Sequence, residues 1–142
     1  MSTDSTPDAG RTRLDIAFPA EVNRVAEVVD KVVALVRQLH GQTGKELEIA
    51  LALTEALANA VKHGSKNDPS FEVQCQVVAD LSAMLIIVRD SGPGFDPGSV
   101  ANPLESAGLS ADRGRGLYMI RQLMDEVQYE WWGAEIRMTK LF

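Results

Sequence analysis

The sequence predicts an α/β (α+β) two-layer sandwich, in which a mixed, mostly antiparallel sheet carries helices on one face. Three observations support this fold class. Apolar residues recur every three or four positions between Glu21 and His40, a spacing typical of an amphipathic helix. Several other runs alternate apolar and polar residues, or stay apolar over the length of a strand. These segments follow the order β-αα-ββ-loop-α-ββ, which gives each helix a neighbouring strand to cover.

The first half of the chain contains one predicted strand and two predicted helices. "RLDIAF" (Arg13–Phe18) alternates and indicates a short strand. The apolar stripe of the first helix consists of Val22, Val25, Val29, Val32, Val36 and Leu39. A second helix is expected from about Lys45 to Lys62, and "HGSKNDP" ends it with Gly64 and Pro69.

The second half contains four predicted strands, a long loop and a helix. "FEVQCQVVA" alternates, so we expect one face to meet solvent, whereas "AMLIIVRD" is almost continuously apolar and is expected to lie centrally. Residues 91–113 lack periodicity and are rich in Gly and Pro, which is typical of a lid or binding loop. "GLYMIRQLMDEV" returns to helical spacing, and "VQYEWW" with "EIRMTKLF" indicates a closing hairpin.

Length and composition narrow the class of protein. The 142 residues predict a single domain at residues 12–142, after a polar tail at residues 1–11 that we expect to be disordered. A net charge of −6 without a cluster of Lys and Arg argues against nucleic acid or an anionic membrane as partner. No apolar run approaches the roughly 20 residues that span a bilayer. Cys75 is the only cysteine, which excludes an internal disulfide and fits a reducing cytoplasm.

The second predicted helix carries a polar face beside its apolar stripe. Glu55 and Asn59 are four residues apart and therefore share that face, which Lys62 and His63 continue at the helix end. A carboxylate and a carboxamide placed in this way suit a general base and a ligand for a hard metal ion. The same pattern also fits a solvated helix face, so the pair alone leaves both interpretations open.

Asp90 stands at the end of the apolar strand, in "RDSGPGFD". A carboxylate only accepts hydrogen bonds, so it suits an exocyclic amino group such as that of adenine. Gly92 and Gly94 allow the backbone to approach a flat ring closely. A polar turn without a ligand is an equally good interpretation of this segment by itself.

"DRGRGLYMI" places Gly114 and Gly116 directly before a predicted helix. Helix-start amides favour a phosphate, and Arg113 and Arg115 add positive charge. The segment has neither the third glycine of a dinucleotide fingerprint nor the Gly-Lys-Ser/Thr of a P-loop. A helix start without a ligand remains an alternative.

Taken in order, these segments resemble the GHKL ATPase superfamily. "EALANAVKHG" resembles its N box, "DSGPGFD" its G1 box and "GRGLYMI" its G2 box, and the resemblance extends from about Arg13 to the end of the chain. It implies the Bergerat ATP-binding fold with ATP and Mg²⁺ as cofactors, and a lid at about residues 95–113.

The small size and the segment "GRGLYMIRQLMDEV" further resemble the anti-sigma-factor serine-protein kinases of the RsbW and SpoIIAB type. By this resemblance Glu55 is the general base for a serine hydroxyl, Asn59 coordinates Mg²⁺, and Asp90 accepts from the adenine amine. The other nucleotide-binding residues that the resemblance implies are Lys62, His63, Gly92, Gly94, Arg113, Gly114, Arg115, Gly116 and Leu117.

The resemblance also implies partners and leaves alternatives. It implies a STAS-domain anti-sigma-factor antagonist as phosphorylation substrate, a sigma factor that the kinase sequesters, and a possible homodimer. The alternative is a nucleotide-dependent binding module that sequesters its partner without phosphorylating it; a sensor histidine kinase fits less well, because neither His40 nor His63 lies in a phosphoacceptor hairpin. Many relatives have a Thr after the last hairpin glycine that helps to hold the adenine through water. Ala134 and Glu135 follow that glycine here, so this water-mediated contact is in question, although Thr139 is nearby in the sequence.

Overall fold

A computed structural model of the protein describes residues 5–8, 10–91, 111–130 and 134–142. In chain order its elements are β1 (Ser5–Asp8), β2 (Arg11–Pro19), α1 (Val25–His40), α2 (Lys45–Asn59), β3 (Glu72–Ala79), β4 (Ala83–Arg89), α3 (Ala111–Leu123), β5 (Glu126–Glu130) and β6 (Glu135–Leu141). A 3₁₀ turn precedes α1, and a π-helical turn, Ala60–Gly64, continues α2. Within the described ranges, no helix is both long and apolar enough to cross a membrane.

The strands form one sheet in the order β1-β2-β3-β4-β6-β5. Every pairing between the described strands is antiparallel, where a mixed, mostly antiparallel sheet was predicted. The strand that is almost continuously apolar, β4, lies between β3 and β6, which confirms its predicted central position. Both edges of β4 are therefore paired, and Asp90 is the residue that directly follows its carboxyl end.

The helices cover one face of the sheet, as the fold class predicts. Side chains alternate along β3, so that Val73, Cys75 and Val77 are buried while Gln74 lies exposed. The buried strand residues join a single core with those of the three helices, including the fully buried Leu53. Full burial of such a side chain contributes about 1.5–3 kcal/mol, so the buried residues of this face stabilise the fold.

Helices α2 and α3 run antiparallel to each other. Lys140 of β6 is buried, and its ammonium group donates to the carbonyl of Leu123 at the end of α3. The same group lies 3.0 Å from the carboxylate of Glu48, near the start of α2. At the opposite ends of these helices, Gly116 of α3 faces Glu55 of α2. The middle and far end of α2 therefore lie against the first turns of α3, where the predicted site residues are concentrated.

Three predicted boundaries are corrected by the structure. Residues Ser5–Asp8 form strand β1 against β2, although their composition predicted a disordered tail; Gly10, at φ +81°, allows the chain to turn back so that β1 pairs with the edge of β2. The α-helical part of α2 ends at Asn59, and a π turn replaces its last predicted turn. Helix α3 begins at Ala111, so Gly114 and Gly116 lie inside it and do not precede it.

Candidate functional site

Two pockets meet at Asn59, at the end of α2. One is an open cleft of about 480 Å³ between α2 and α3. The other lies where the same two helices approach the ends of β4, β5 and β6. Asn59 lines both pockets, so any ligand that fills the two of them passes this side chain.

The cleft gathers most of the residues that the sequence predicts for phosphate binding and catalysis. Its described lining consists of Glu55, Ala58, Asn59, Lys62, His63, Arg115, Gly116 and Met119. Helical spacing puts Glu55 and Asn59 on one face of α2, and the π turn carries Lys62 and His63 onward from them. The cleft therefore combines one carboxylate with the cationic side chains of Lys62 and Arg115, an arrangement that suits an anionic ligand beside a general base.

Asn59 is the buried polar residue at the centre of this arrangement. The residue is 8% exposed, and its side-chain amide nitrogen is buried without a hydrogen-bond partner in the described part of the chain. Leaving a buried amide unpaired costs about 1–3 kcal/mol, so a ligand that pairs with this amide would remove the cost. The amide also carries an oxygen, the atom type that Mg²⁺ prefers. The described residues contain no group of three or more His, Cys, Asp or Glu side chains arranged to hold a metal ion.

The contact between Glu55 and Gly116 depends on the absence of a side chain at Gly116. A Cβ atom at this position would lie 2.3 Å from Oε2 of Glu55 and 2.9 Å from its Cδ. Glycine therefore allows α3 to approach α2 closely enough for its backbone to touch the carboxylate. The role of Gly116 in the structure is this close approach, whereas the sequence predicted a helix start there.

Asp90 is held at the end of β4 in a similar way. The residue is 8% exposed, and its backbone N–H donates to the carbonyl of Ala134 at 3.0 Å. A Cβ atom added to Gly64 would lie 2.2 Å from both Cγ and Oδ2 of Asp90. The end of the π turn thus packs directly on the carboxylate and fixes its position from the helix side.

The second pocket is mainly apolar and has Asp90 at one end. Its described lining consists of Ala56, Asn59, Ala60, Val88, Asp90, Leu117, Ile120, Tyr129, Ala134 and Ile136. The space that these residues enclose is narrow, about 20 Å³, which is room for about one water molecule. A flat heterocycle would therefore enter only if the lining residues moved apart.

A cluster of charged residues ties the strands together on the opposite face of the sheet. Glu135 is fully buried and accepts from Nε of Arg89 at 2.8 Å and from Nε of Arg137 at 2.9 Å. Glu130 lies 3.2 Å from Arg137 and extends the cluster to β5. Burial raises the pKa of Glu135, but the hydrogen bonds from Arg137 and Arg89 outweigh it, so its pKa lies below the ordinary 4.5. The cluster stabilises the pairing of β4, β6 and β5 next to Asp90.

The remaining predicted residues either fall outside the described residues or do not line the cleft. Gly92, Gly94 and almost all of the predicted lid at 95–113 fall outside the described residues, and the backbone of Arg113 is described within α3 without its side chain. Leu117 lines the apolar pocket, as does Ala134. Thr139 lies farther along β6, opposite Leu85 and roughly 17 Å from Ala134 at strand spacing, so it does not reach the pocket.

Sequence reasoning missed two residues of the site. Gly64 was interpreted only as the end of a helix, although it closes against Asp90. Tyr129 lines the apolar pocket from the edge strand β5. Gly64 directly follows Lys62 and His63, two predicted site residues, and this position in the sequence could have indicated its role. Tyr129 has no comparable signal, because the face that it occupies on a short edge strand depends on the strand register.

Comparison with known proteins defines the class to which this fold and site belong. The family described as histidine kinase-like ATPase domain matches residues 18–140. The chain belongs to this family, which confirms the superfamily that the three sequence boxes indicate. The antiparallel sheet covered by three helices is consistent with such a domain.

Within this class the chain is similar to bacterial regulators. The anti-sigma F factor of Geobacillus stearothermophilus is 31% identical over 122 residues, which cover 84% of each chain. The anti-sigma F factor of Anoxybacillus flavithermus is 34% identical over 119 residues, which cover 82% of each chain. The serine-protein kinase RsbW of Bacillus subtilis is 29% identical over 141 residues, which cover 89% of this chain and 84% of that protein.

Proposed function

We propose that this protein is an ATP- and Mg²⁺-dependent serine-protein kinase and anti-sigma factor. It would phosphorylate a serine of a STAS-domain anti-sigma-factor antagonist and sequester a sigma factor. The names of its relatives, anti-sigma F factor and serine-protein kinase, support this class of activity. The observation that carries the proposal is the cleft in which Glu55, Asn59 and Arg115 converge beside the pocket of Asp90.

Glu55 is the proposed general base. It is half-buried in the cleft, and contact with the backbone of Gly116 limits the directions in which its carboxylate can point. A carboxylate in this position can accept the proton of a serine hydroxyl as the serine oxygen attacks the terminal phosphoryl group of ATP and the bond from that group to the leaving ADP breaks. Holding base and acceptor in one cleft supplies the positioning on which phosphoryl transfer depends.

The cationic side chains and Asn59 form the proposed phosphate-binding part of the cleft. Lys62 and Arg115 line the cleft and are exposed, and His63 also lines it and is half-buried. Asn59 would offer its amide oxygen to Mg²⁺, which usually keeps only one or two protein ligands and binds phosphate oxygens as well. When bound, Mg²⁺ neutralises charge that develops on the phosphate oxygens. The backbone amides in the first turn of α3, including that of Gly114, are proposed to donate hydrogen bonds to a phosphate group.

Asp90 is the proposed contact for the adenine amine. It is buried, it accepts hydrogen bonds, and Gly64 on one side and Ala134 on the other fix its position. Gly92 and Gly94 follow it in the chain and are proposed to approach the purine. The adjoining apolar side chains of Val88 and Leu117 suit the faces of the ring.

Phosphotransfer tests the proposal through Glu55→Gln. The purified variant is incubated with radiolabelled ATP, Mg²⁺ and a STAS-domain antagonist encoded by the same organism, and phosphoserine is mapped by mass spectrometry. We expect ATP binding to be retained, because the carboxamide keeps the size of the side chain, and transfer to fall at least 100-fold, since general base catalysis contributes about 10²–10⁴-fold. Glu126→Gln, on the surface of β5, is the matched control.

Three outcomes separate the possibilities. Transfer by wild type and loss in Glu55→Gln support the kinase. Undiminished transfer in Glu55→Gln would contradict the role of Glu55. Retention of the antagonist or a sigma factor by wild type in a pull-down, without any phosphoserine, would favour the alternative of a binding module that sequesters its partner. A homodimer remains a prediction that sedimentation velocity can test in the same preparation.

A further inference from the structure

A protein kinase must bring two reactants to its general base from different sides. The attacking serine oxygen and the leaving ADP lie roughly in line across the transferred phosphoryl group. The cleft between α2 and α3, of about 480 Å³, has the size that one small ligand fills. With the nucleotide phosphates in this cleft, the serine has to reach Glu55 from another direction.

A second opening reaches Glu55 from the side of α1. It encloses about 550 Å³ between α1 and α2, and we call it the α1/α2 groove. Residues 41–44 join the two helices in a short turn, so the start of α1 packs beside the end of α2. Glu55, Ala58 and Lys62 line both the groove and the cleft. The proposed base therefore belongs to the wall that the two spaces share.

The lining of the α1/α2 groove indicates what it can hold. Val25 and Val29 of α1 contribute buried apolar surface, and Val22 lines the groove while 46% exposed. Ala26 adds only a methyl group, which leaves room between the helices. Such a surface suits an aliphatic side chain of a partner. Asp30 also lines the groove and is exposed, so it favours a basic residue in the same partner segment.

We infer that the α1/α2 groove binds the serine-bearing segment of the substrate protein, which places an aliphatic side chain in the groove and a basic side chain at Asp30. The serine then meets Glu55 from the side opposite the nucleotide. Its oxygen bonds to the terminal phosphorus of ATP as the bond to ADP breaks, and Glu55 takes the serine proton. The inference rests on the proposed kinase function and adds the site for its protein substrate.

Steady-state phosphotransfer with a filled groove tests the inference. Ala26→Leu adds bulk to the groove from an exposed position of α1, and Ala34→Leu, the matched control, makes the same change at an exposed position of α1 outside the groove lining. The substrate is a STAS-domain antagonist encoded by the same organism, and its KM is measured at saturating Mg-ATP. Ala26→Leu should raise this KM at least about 10-fold, because it displaces a buried aliphatic side chain, whereas Ala34→Leu should leave it unchanged.

A second variant tests the charged contact without changing the shape of the groove. Asp30→Asn should raise the KM for the antagonist about 2- to 5-fold, as expected for an ion pair near the surface. Because salt screens exposed charges, the difference from wild type should shrink at 0.5 M NaCl. A KM that Asp30→Asn leaves unchanged at low salt would refute the contact with a basic residue.

The remaining outcomes separate failure of the inference from failure of the proposed function. Equal KM values for Ala26→Leu and Ala34→Leu, when wild type phosphorylates the antagonist, would refute the inference and leave the kinase intact. A fall in ATP affinity by calorimetry in Ala26→Leu would show that the groove is not separate from the nucleotide site, which also refutes it. If wild type transfers no phosphate, the proposed function fails together with the inference. Thermal unfolding of the free proteins confirms that the variants are folded.

Discussion

Replacing Gly64 by Ala is expected to displace Asp90. The added Cβ would lie 2.2 Å from Cγ and Oδ2 of Asp90 and 2.7 Å from Oδ1, whereas ordinary contacts begin at 3.4 Å. Asp90 is short and buried, so its carboxylate has little freedom to rotate away. The clash is therefore relieved only by a shift of the carboxylate or of the π turn that carries Gly64.

The size of the effect follows from opposing contributions. Overpacking of this kind costs about 1–3 kcal/mol, and the gain in helix propensity from Gly to Ala offsets about 1 kcal/mol. We expect a net loss of about 0–2 kcal/mol in the free energy of unfolding, measured by urea denaturation. If Asp90 binds adenine, loss of a hydrogen bond to a charged group, worth about 1.5–3 kcal/mol, should weaken ATP binding about 10- to 150-fold.

The double variant decides whether the clash is the cause. Asp90→Ala removes Cγ and both carboxylate oxygens, so in that background Gly64→Ala should no longer destabilise the protein. The difference between the two backgrounds is the coupling free energy of the pair. A Gly64→Ala variant that costs the same stability with and without the Asp90 carboxylate would refute the reasoning, as would unchanged ATP affinity in a protein that binds ATP.

Two further predictions concern stability and reactivity. Because the pKa of Glu135 is lowered, its stabilising ion pairs are fully present above the ordinary value of 4.5 and are lost as pH falls through the lower value of the folded state. Glu135→Gln should therefore cost about 1 kcal/mol at pH 7 and progressively less below pH 4.5 in urea titrations; an undiminished difference at pH 3 would contradict this. Burial, together with the charge of Asp15, raises the pKa of the Cys75 thiol to about 12. Its reaction with a disulfide reagent at pH 8 should require unfolding in urea, and rapid labelling of the native protein would show that Cys75 is accessible.

Much of the fold could be predicted from local patterns in the sequence. The valine stripe of α1, the alternation of β3 and the continuous apolar run of β4 each reflect the period of one element and its burial. The helix position of Glu55 and Asn59 follows from the same period, so their common face was predictable. The π turn at Ala60–Gly64 was not, because it departs from the regular spacing that such patterns detect.

The sequence by itself determined the order of the elements from β2 onward, the central place of β4 and the residue types available for the proposed nucleotide site. Only the tertiary structure decided that Gly116 touches Glu55, that Gly64 packs on Asp90, and that Tyr129 faces the same pocket. The physical reason is that periodicity specifies which face of an element is buried. Contacts between distant segments depend in addition on helix crossing and strand register, which arise when the whole core packs.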